Sequence, residues 1–360
     1  MRNTWAIIGG GNGGQTMAGH LALMGERVRL FDVFPDTVDA INQQGGIYIS
    51  GAVNGFGKLE FATIDMGKAM QDADIIMIVL PSLYHKSVDE RCIKYLKDGQ
   101  IVFLHPEASC GALAFKKAMR DAGCTADITI GAANTLLYST RSVKSGTVDM
   151  FGIKDSLYMA ALPASRGGLL EGALGGCFPN FKLSANVLFT SISNTNAMMH
   201  PAPSLLNASR IEAQQDYLYY WDGITPTIGA FVEQMDKERM ALGRAFGLNM
   251  KTLKECYIEM YDSGDMRPKD TLSELCKKVV AYKGINAPKT LRTRYVLEDI
   301  PYSLVGLQSL AKIAGVVTPC IDAVVQLARG MLQSELDEGR TCRALGIEGM
   351  AKEDLMRYVE

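Results

Sequence analysis

Apolar residues follow two rhythms along this chain. Through residues 1–180, short unbroken apolar runs alternate with segments whose apolar positions recur at helical spacing. The runs at 5–8, 27–31, 74–81, 100–106 and 128–131 read as strands, of the kind a parallel sheet buries on both faces. A helix is expected after the first strand, and others over 35–43, 66–71, 85–96 and 112–122. The glycine-bounded, β-rich stretches 45–51 and 57–61 predict a hairpin. Mixed polar and apolar positions at 135–141 and 149–154 predict edge strands. Residues 157–162 predict one strand more, and 164–175 a helix weakened by Gly167 and Gly168. This alternation predicts an α/β, doubly wound Rossmann sheet with its ligand at the carboxyl ends of the strands.

From residue 185 the rhythm becomes helical. Ile228, Phe231, Val232, Met235, Met240, Leu242 and Phe246 keep a 3.6-residue period and predict a long amphipathic helix over 226–246. Further helices are expected over 252–262, 271–282, 305–314, 321–332 and 350–359. Pro201 and Pro203 predict an interruption, with His200 pushed toward an extended backbone and Ser204 capping a helix that runs through Ile211. Gly, Pro and Asn cluster over 176–184, so the expected domains are 1–180, an NAD-binding Rossmann domain, and 181–360, an all-α substrate and catalytic domain. Two domains suit a chain of 360 residues.

Composition narrows the partners. A net charge of −2 implies no nucleic acid. The eight cysteines form no C-x-x-C pair, which points to free thiols in a reducing compartment and to no metal site. No signal-peptide pattern is evident, and no apolar run reaches the roughly eighteen residues of a membrane span. A cytoplasmic protein without membrane association is expected. The apolar helical half suits a homodimer as well as a monomer.

The chemistry begins at Gly9-Gly10-Gly11-Asn12-Gly13-Gly14, where Gly9, Gly11 and Gly14 fit G-x-G-x-x-G. A strand precedes the motif, a helix follows it, and Asp32 closes a second strand about twenty residues on. The glycines allow a tight turn, a close approach to a pyrophosphate and helix–strand packing. The helix N-terminus offers N–H groups to phosphate. Asp32 would accept both ribose hydroxyls and repel a 2′-phosphate, so NAD is favoured over NADP. Gly9, Gly11, Asn12, Gly14, Asp32 and Pro81 are the expected cofactor-binding residues, with Pro81 and the 104–106 strand end bordering the nicotinamide.

The acid–base candidates are fewer. Of four histidines, His20 reads as an exposed helix residue and His85 as a helix-start surface residue. His105 reads as hydrogen-bonded to loop backbone, or as a cofactor contact. His200 lies in a loop of Asn, Met and Pro, the type of segment that carries function. Arg294 and Asp299, taken alone, read as a solvated charge pair, and so does Arg141. The run Tyr217, Tyr219, Tyr220, Trp221 reads as core packing.

Two segments carry a resemblance: Asn194-Thr195-Asn196 with Met198-Met199-His200-Pro201, and Arg294-Tyr295-Val296-Leu297-Glu298-Asp299-Ile300-Pro301-Tyr302. They resemble the two signatures of the opine dehydrogenases, the octopine/nopaline dehydrogenase family, over essentially the whole chain. That resemblance implies NAD(P)H-dependent reduction of the imine between an amino acid and an α-keto acid such as pyruvate. It implies His200 as catalytic acid/base, Asp299 as its carboxylate partner and Arg294 as a carboxylate anchor. The family's strand before Tyr138 often carries an acid; here Ala132, Ala133 and Asn134 stand there, which implies a neutral or apolar amino acid. Two other readings compete: a hydroxy-acid dehydrogenase using Lys283 or Lys289, and an NAD-binding sensor without turnover.

Overall fold

The apolar run at the start of the chain forms a fully buried strand, β1 (Thr4–Ile8), in a computed structural model that describes residues 2–360. In chain order follow β2 (Arg27–Phe31), β3 (Gly46–Gly51), β4 (Gly55–Lys58), β5 (Phe61–Thr63), β6 (Ile75–Ile78), β7 (Ile101–Leu104) and β8 (Thr129–Ala133). They continue with β9 (Tyr138–Lys144), β10 (Thr147–Ile153), β11 (Leu157–Leu162) and β12 (Phe181–Leu183). The main sheet has the order β12-β11-β8-β7-β6-β1-β2-β5. It is parallel except where β11 runs against β8. The chain leaves β1 toward β2 and β5, then returns to its other side at β6 and β7. The carboxyl end of β1 therefore lies at a topological switch point, where such sheets bind nucleotides.

A second sheet, ordered β4-β3-β10-β9, goes beyond what the pattern predicts. The hairpin holds as β3 and β4, with Ile47 opposite Gly57. Phe61 does not close that hairpin; it opens β5 beside β2. Nor is β10 an edge strand. It pairs with β9 on one side and with β3 on the other. β3 lies about a hundred residues away in the chain, and the buried Val148 and Met150 of β10 face the core while Phe151 is exposed. The helix Asn12–Leu23 packs against strands of both sheets. Its Met17 and Leu21 join Trp5, Ile7, Val28 and Phe103 in one buried cluster.

The remainder is helical. Thr225 caps the helix Pro226–Ala245 by accepting the Ile228 N–H, and Pro226 occupies the first turn, where no N–H is needed. Thr252 with Glu255, and Thr271 with Glu274, form capping boxes that open Leu253–Tyr261 and Leu272–Lys278. One expectation fails here for a clear reason. The short helix Asn196–Met199 does end before Pro201, but Pro201 starts the helix Pro201–Leu206, and Ser204 lies inside that helix rather than capping it. A proline in a first turn gives up no hydrogen bond.

The chain divides into two compact units. One comprises the residues up to 107, then 111–190 and 359–360; the other comprises 108–110 and 191–358. The division falls after Thr190, not at 180. The Gly-, Pro- and Asn-rich stretch expected to be a boundary contributes β12, which pairs with β11 as Leu157 opposite Phe181.

Candidate active site

In the first unit, Gly9 takes φ +114°, a left-handed conformation that glycine adopts without strain. A Cβ on Gly14 would stand 1.8 Å from the Gly9 carbonyl oxygen, so only glycine lets the helix start here. Gly11, by contrast, faces open space, and no side chain caps the helix Asn12–Leu23. Its first N–H groups are thus left to a phosphate. Asp32 is buried and accepts hydrogen bonds from the Gly10 and Phe34 N–H groups through different carboxylate oxygens. Each oxygen has further lone-pair capacity, so the held carboxylate can still accept ribose hydroxyls. These features fit a dinucleotide. Pro81 follows β6 and leads into the short helical turn Ser82–Tyr84. The Asn12 side chain plays a different part. Its Oδ1 accepts the Ser142 N–H, 3.0 Å away, and so ties the glycine loop to β9.

Three histidines lie in this unit. His20 is half-buried rather than exposed, its Nδ1 2.8 Å from the Tyr138 hydroxyl. His85 is buried rather than at the surface, with Nε2 3.2 Å from the Leu80 carbonyl. His105 is fully buried and its Nε2 accepts the Leu137 N–H at 3.0 Å. That is the backbone-bonded reading. Burial, with the Lys154 charge nearby, lowers its pKa to about 3, so the ring stays neutral at working pH.

In the second unit, His200 joins two short helices, Asn196–Met199 and Pro201–Leu206. Its backbone is helical (φ −103°, ψ −52°), not extended. The pre-proline bias is overcome because the His200 carbonyl accepts both the Ser204 N–H and, at 2.7 Å, the Tyr219 hydroxyl. Asp299 sits between the helical turn Arg294–Leu297 and a turn of π-helix, Ile300–Leu304, in which the Leu304 N–H reaches back to the Asp299 carbonyl. The Asn194 amide donates to the Ser303 hydroxyl and ties the two signature segments together.

The result is a pair: His200 Nδ1 lies 2.7 Å from Asp299 Oδ2. Both residues are at least nine-tenths buried. Burial raises the Asp299 pKa above the ordinary carboxylate value, and the His200 contact pulls it back. Arg294 is not part of the pair. Its Nε bonds the buried Glu298, and its side chain is 66% exposed.

Two further groups meet His200, and the sequence pattern singles out neither. The Tyr220 hydroxyl, on a run that reads as core packing, lies 2.9 Å from Nε2. The Tyr295 ring stacks on the imidazole, with centroids 4.1 Å apart and planes 18° from parallel. Backbone bonds from Tyr219 N–H to Ile285 and from Ala287 N–H to Tyr217 fix the tyrosine segment. A signal is present in the sequence: Tyr295 stands inside the second signature, between Arg294 and Asp299. Of the two lysine candidates, Lys289 is held at the surface by Asp216 and Lys283 lies over the Trp221 ring.

A glycine loop at a sheet switch point, with a buried histidine–aspartate pair built on a separate helical unit, is the arrangement of an NAD(P)-dependent oxidoreductase. Residues 183–332 match the family described as NAD/NADP octopine/nopaline dehydrogenase, alpha-helical domain. Residues 4–105 match the NAD-dependent glycerol-3-phosphate dehydrogenase N-terminus. The chain is 37% identical to an opine dehydrogenase of Arthrobacter sp. (strain 1C), over 99% of each protein. It belongs to the opine dehydrogenase family, whose members act on CH–NH bonds. The fold is shared with octopine dehydrogenase bound to NADH and L-arginine, at TM-score 0.80, 19% identity and 98% coverage of both chains. The same enzyme with NADH and pyruvate gives 0.77 and 19%, over 96% of this chain and 95% of that one.

Proposed function

We propose that this protein condenses a neutral or apolar amino acid with an α-keto acid such as pyruvate, using His200 as acid/base, Asp299 as its partner and Arg294 as a carboxylate anchor. The 2.7 Å contact between His200 and Asp299 carries this reading. The amine adds to the keto carbon, water leaves, and the protonated imine is reduced. A bound NADH supplies the hydride. The incoming ammonium gives up a proton to become the attacking amine and a proton is returned as water leaves, so the one proton consumed per turnover ends on the secondary amine after hydride transfer. Asp299 accepts the Nδ1–H, fixes the tautomer and stabilises the cationic ring, so that Nε2 is the atom that gives and takes protons. The exposed Arg294 guanidinium offers a fork for a substrate carboxylate.

The choice of amino acid rests on charge. Ala132 and Ala133 end β8 fully buried, and the Asn134 amide oxygen accepts the Tyr158 N–H. Lys154 donates to Thr135 at 2.6 Å, and burial lowers its pKa only to about 8, so it is largely charged at neutral pH. A cation in this segment opposes a cationic substrate side chain. Asp32 supports NADH over NADPH, with the first unit holding the cofactor and the second working on the substrate. The chain has eight free cysteines, which suits a cytoplasmic enzyme. Among the described residues, no helix is long and apolar enough to cross a membrane.

An NADH-oxidation assay over a panel of amino acids with pyruvate tests the reading. Turnover is expected only with both substrates present, faster with norvaline than with arginine, and faster with NADH than with NADPH. His200→Ala should remove it while leaving NADH affinity within about twofold. Turnover on the keto acid alone would overturn the proposal.

A further inference from the structure

Leu137 follows β8 and joins two residues through its own backbone. Its N–H donates to His105 Nε2 at 3.0 Å, and its carbonyl accepts the Lys154 N–H at 3.0 Å. His105 comes directly after β7, and Lys154 directly after β10. The Lys154 carbonyl accepts the Asn180 side-chain amide at 2.9 Å, and its ammonium donates to the Thr135 hydroxyl at 2.6 Å. Both residues are thereby fixed at the carboxyl edge of the main sheet, within the first unit.

Each residue carries donors that the protein leaves unused. A cationic ammonium has three N–H donors, and Lys154 spends one of them, on Thr135. Among the described residues no carboxylate stands within ion-pair distance of it, and burial alone lowers its pKa to about 8. His105 accepts at Nε2, so its proton sits on Nδ1, and that buried N–H has no partner. The Phe103 and Phe181 rings that pack on the imidazole supply no oxygen. A buried donor without an acceptor and a desolvated cation without a counter-charge both cost stability. Packing alone would be better served by an apolar side chain at 154. The place calls for an acceptor with negative charge, and Lys154 is only half-buried, so a small anion can reach it.

We propose that Lys154 binds the carboxylate of the α-keto acid and so selects that substrate. The inference rests on the condensation proposed for this protein. The secondary amine that it forms carries two carboxylates, and Arg294 accounts for only one. The two are not equivalent. The keto acid's carboxylate is bonded to the carbon that accepts the hydride, whereas the amino acid's is separated from it by the nitrogen and its own α-carbon. The first therefore belongs beside the nicotinamide. Asp32 ends β2 and suits the adenosine ribose; a dinucleotide that crosses the end of β1 brings its other half toward β6 and β7, where His105 and Lys154 lie. An ammonium is a compact charge on a flexible stem, which suits a small carboxylate with no need of a bidentate fork. His105, neutral and protonated on Nδ1, leaves the surroundings rich in donors, which favours an anion and disfavours a cation.

Lys154→Met keeps most of the side chain's length and removes its charge. The expected result is a kcat/KM for pyruvate lowered about tenfold to a hundredfold, with the KM for norvaline and the NADH affinity within about twofold. Pyruvamide, whose neutral amide replaces the carboxylate, separates charge recognition from packing. The unmodified enzyme should prefer pyruvate to pyruvamide by that same factor, and Lys154→Met should lose most of the preference. Lys154→Gln, which keeps a donor without the charge, should fall between them. The urea midpoint of Lys154→Met should hold or rise, because an unpaired buried charge has gone. A lowered midpoint with the preference for pyruvate kept marks a structural lysine and overturns the inference. So does an unmodified enzyme that does not distinguish pyruvate from pyruvamide. Loss of a preference for norvaline over norvalinamide instead places the amino acid's carboxylate at Lys154 and overturns it too. Turnover of the unmodified enzyme on pyruvate alone removes the condensation and this inference together; two-substrate turnover with the preference unchanged in both variants removes this inference alone.

Discussion

At the scale of single residues, His200 and Asp299 depend on each other in both charge and position. A buried carboxylate is costly unless paired, and here its partner is the imidazole that it also orients. Asp299→Asn keeps the size and a hydrogen-bonding atom but removes the charge that stabilises the cationic ring. We expect kcat to fall about a thousandfold, with NADH binding intact, in steady-state and titration measurements. The raised Asp299 pKa also predicts the shape of the pH profile. Protonation destroys the partner, so activity is present above that raised value and lost as pH falls through it. The acid limb of kcat/KM should thus lie above the ordinary carboxylate value of 3.8. The histidine and aspartate can be picked out in sequence because their signatures are local. Tyr220 cannot. Its twenty-residue separation from His200 is bridged by a turn pinned to Ile285, and nothing in the run of aromatics marks which hydroxyl points inward.

At the scale of elements, the helix Pro226–Ala245 is legible in the sequence almost to the residue, because its period, its Thr225 cap and Pro226 all agree. What the pattern hides is an ion pair on its buried face. Arg239 is 1% exposed, bonds Asp236, and donates to the Ile192 and Lys251 carbonyls. Asp236 also accepts the Leu253 N–H and so anchors the start of the next helix. Both charges fit a helical period as easily as an exposed pair would, so spacing alone cannot show that they point inward. Asp236→Ala leaves a buried guanidinium without its partner. It should destabilise the protein by about 3–5 kcal/mol in urea unfolding, far more than loss of an exposed pair would. The strand β10 is illegible for a related reason. Exposed Phe151 and polar Asp149 look like an edge, yet a strand becomes interior through its pairing, and β3 lies far away in sequence.

At the scale of the whole molecule, the two rhythms of the sequence become two units, and the second sheet is what the rhythm does not disclose. His105 gives the first unit an acid-sensitive point of its own. Its folded pKa of about 3 lies below the ordinary 6.5, so between those values the unfolded chain binds a proton that the folded chain refuses. Its contribution is complete above 6.5 and is lost as pH falls toward 3, by about 1.4 kcal/mol per pH unit. His105→Gln should flatten the difference in unfolding free energy across that window in denaturant titrations at several pH values.

The division of the chain into units also bears on how such an enzyme could be reshuffled. Residues 108–110 belong with the second unit although they lie inside the first in sequence. The Ser109 hydroxyl donates to the Ser191 carbonyl, and the Cys110 N–H donates to the Ser191 hydroxyl. A single crossover between two related genes near 190 would therefore carry three residues of one parent's helical unit into the other parent's protein. Exchanging catalytic halves between family members requires recombination at two separate places in the gene, or a chimera that inherits a mismatched tripeptide beside Ser191.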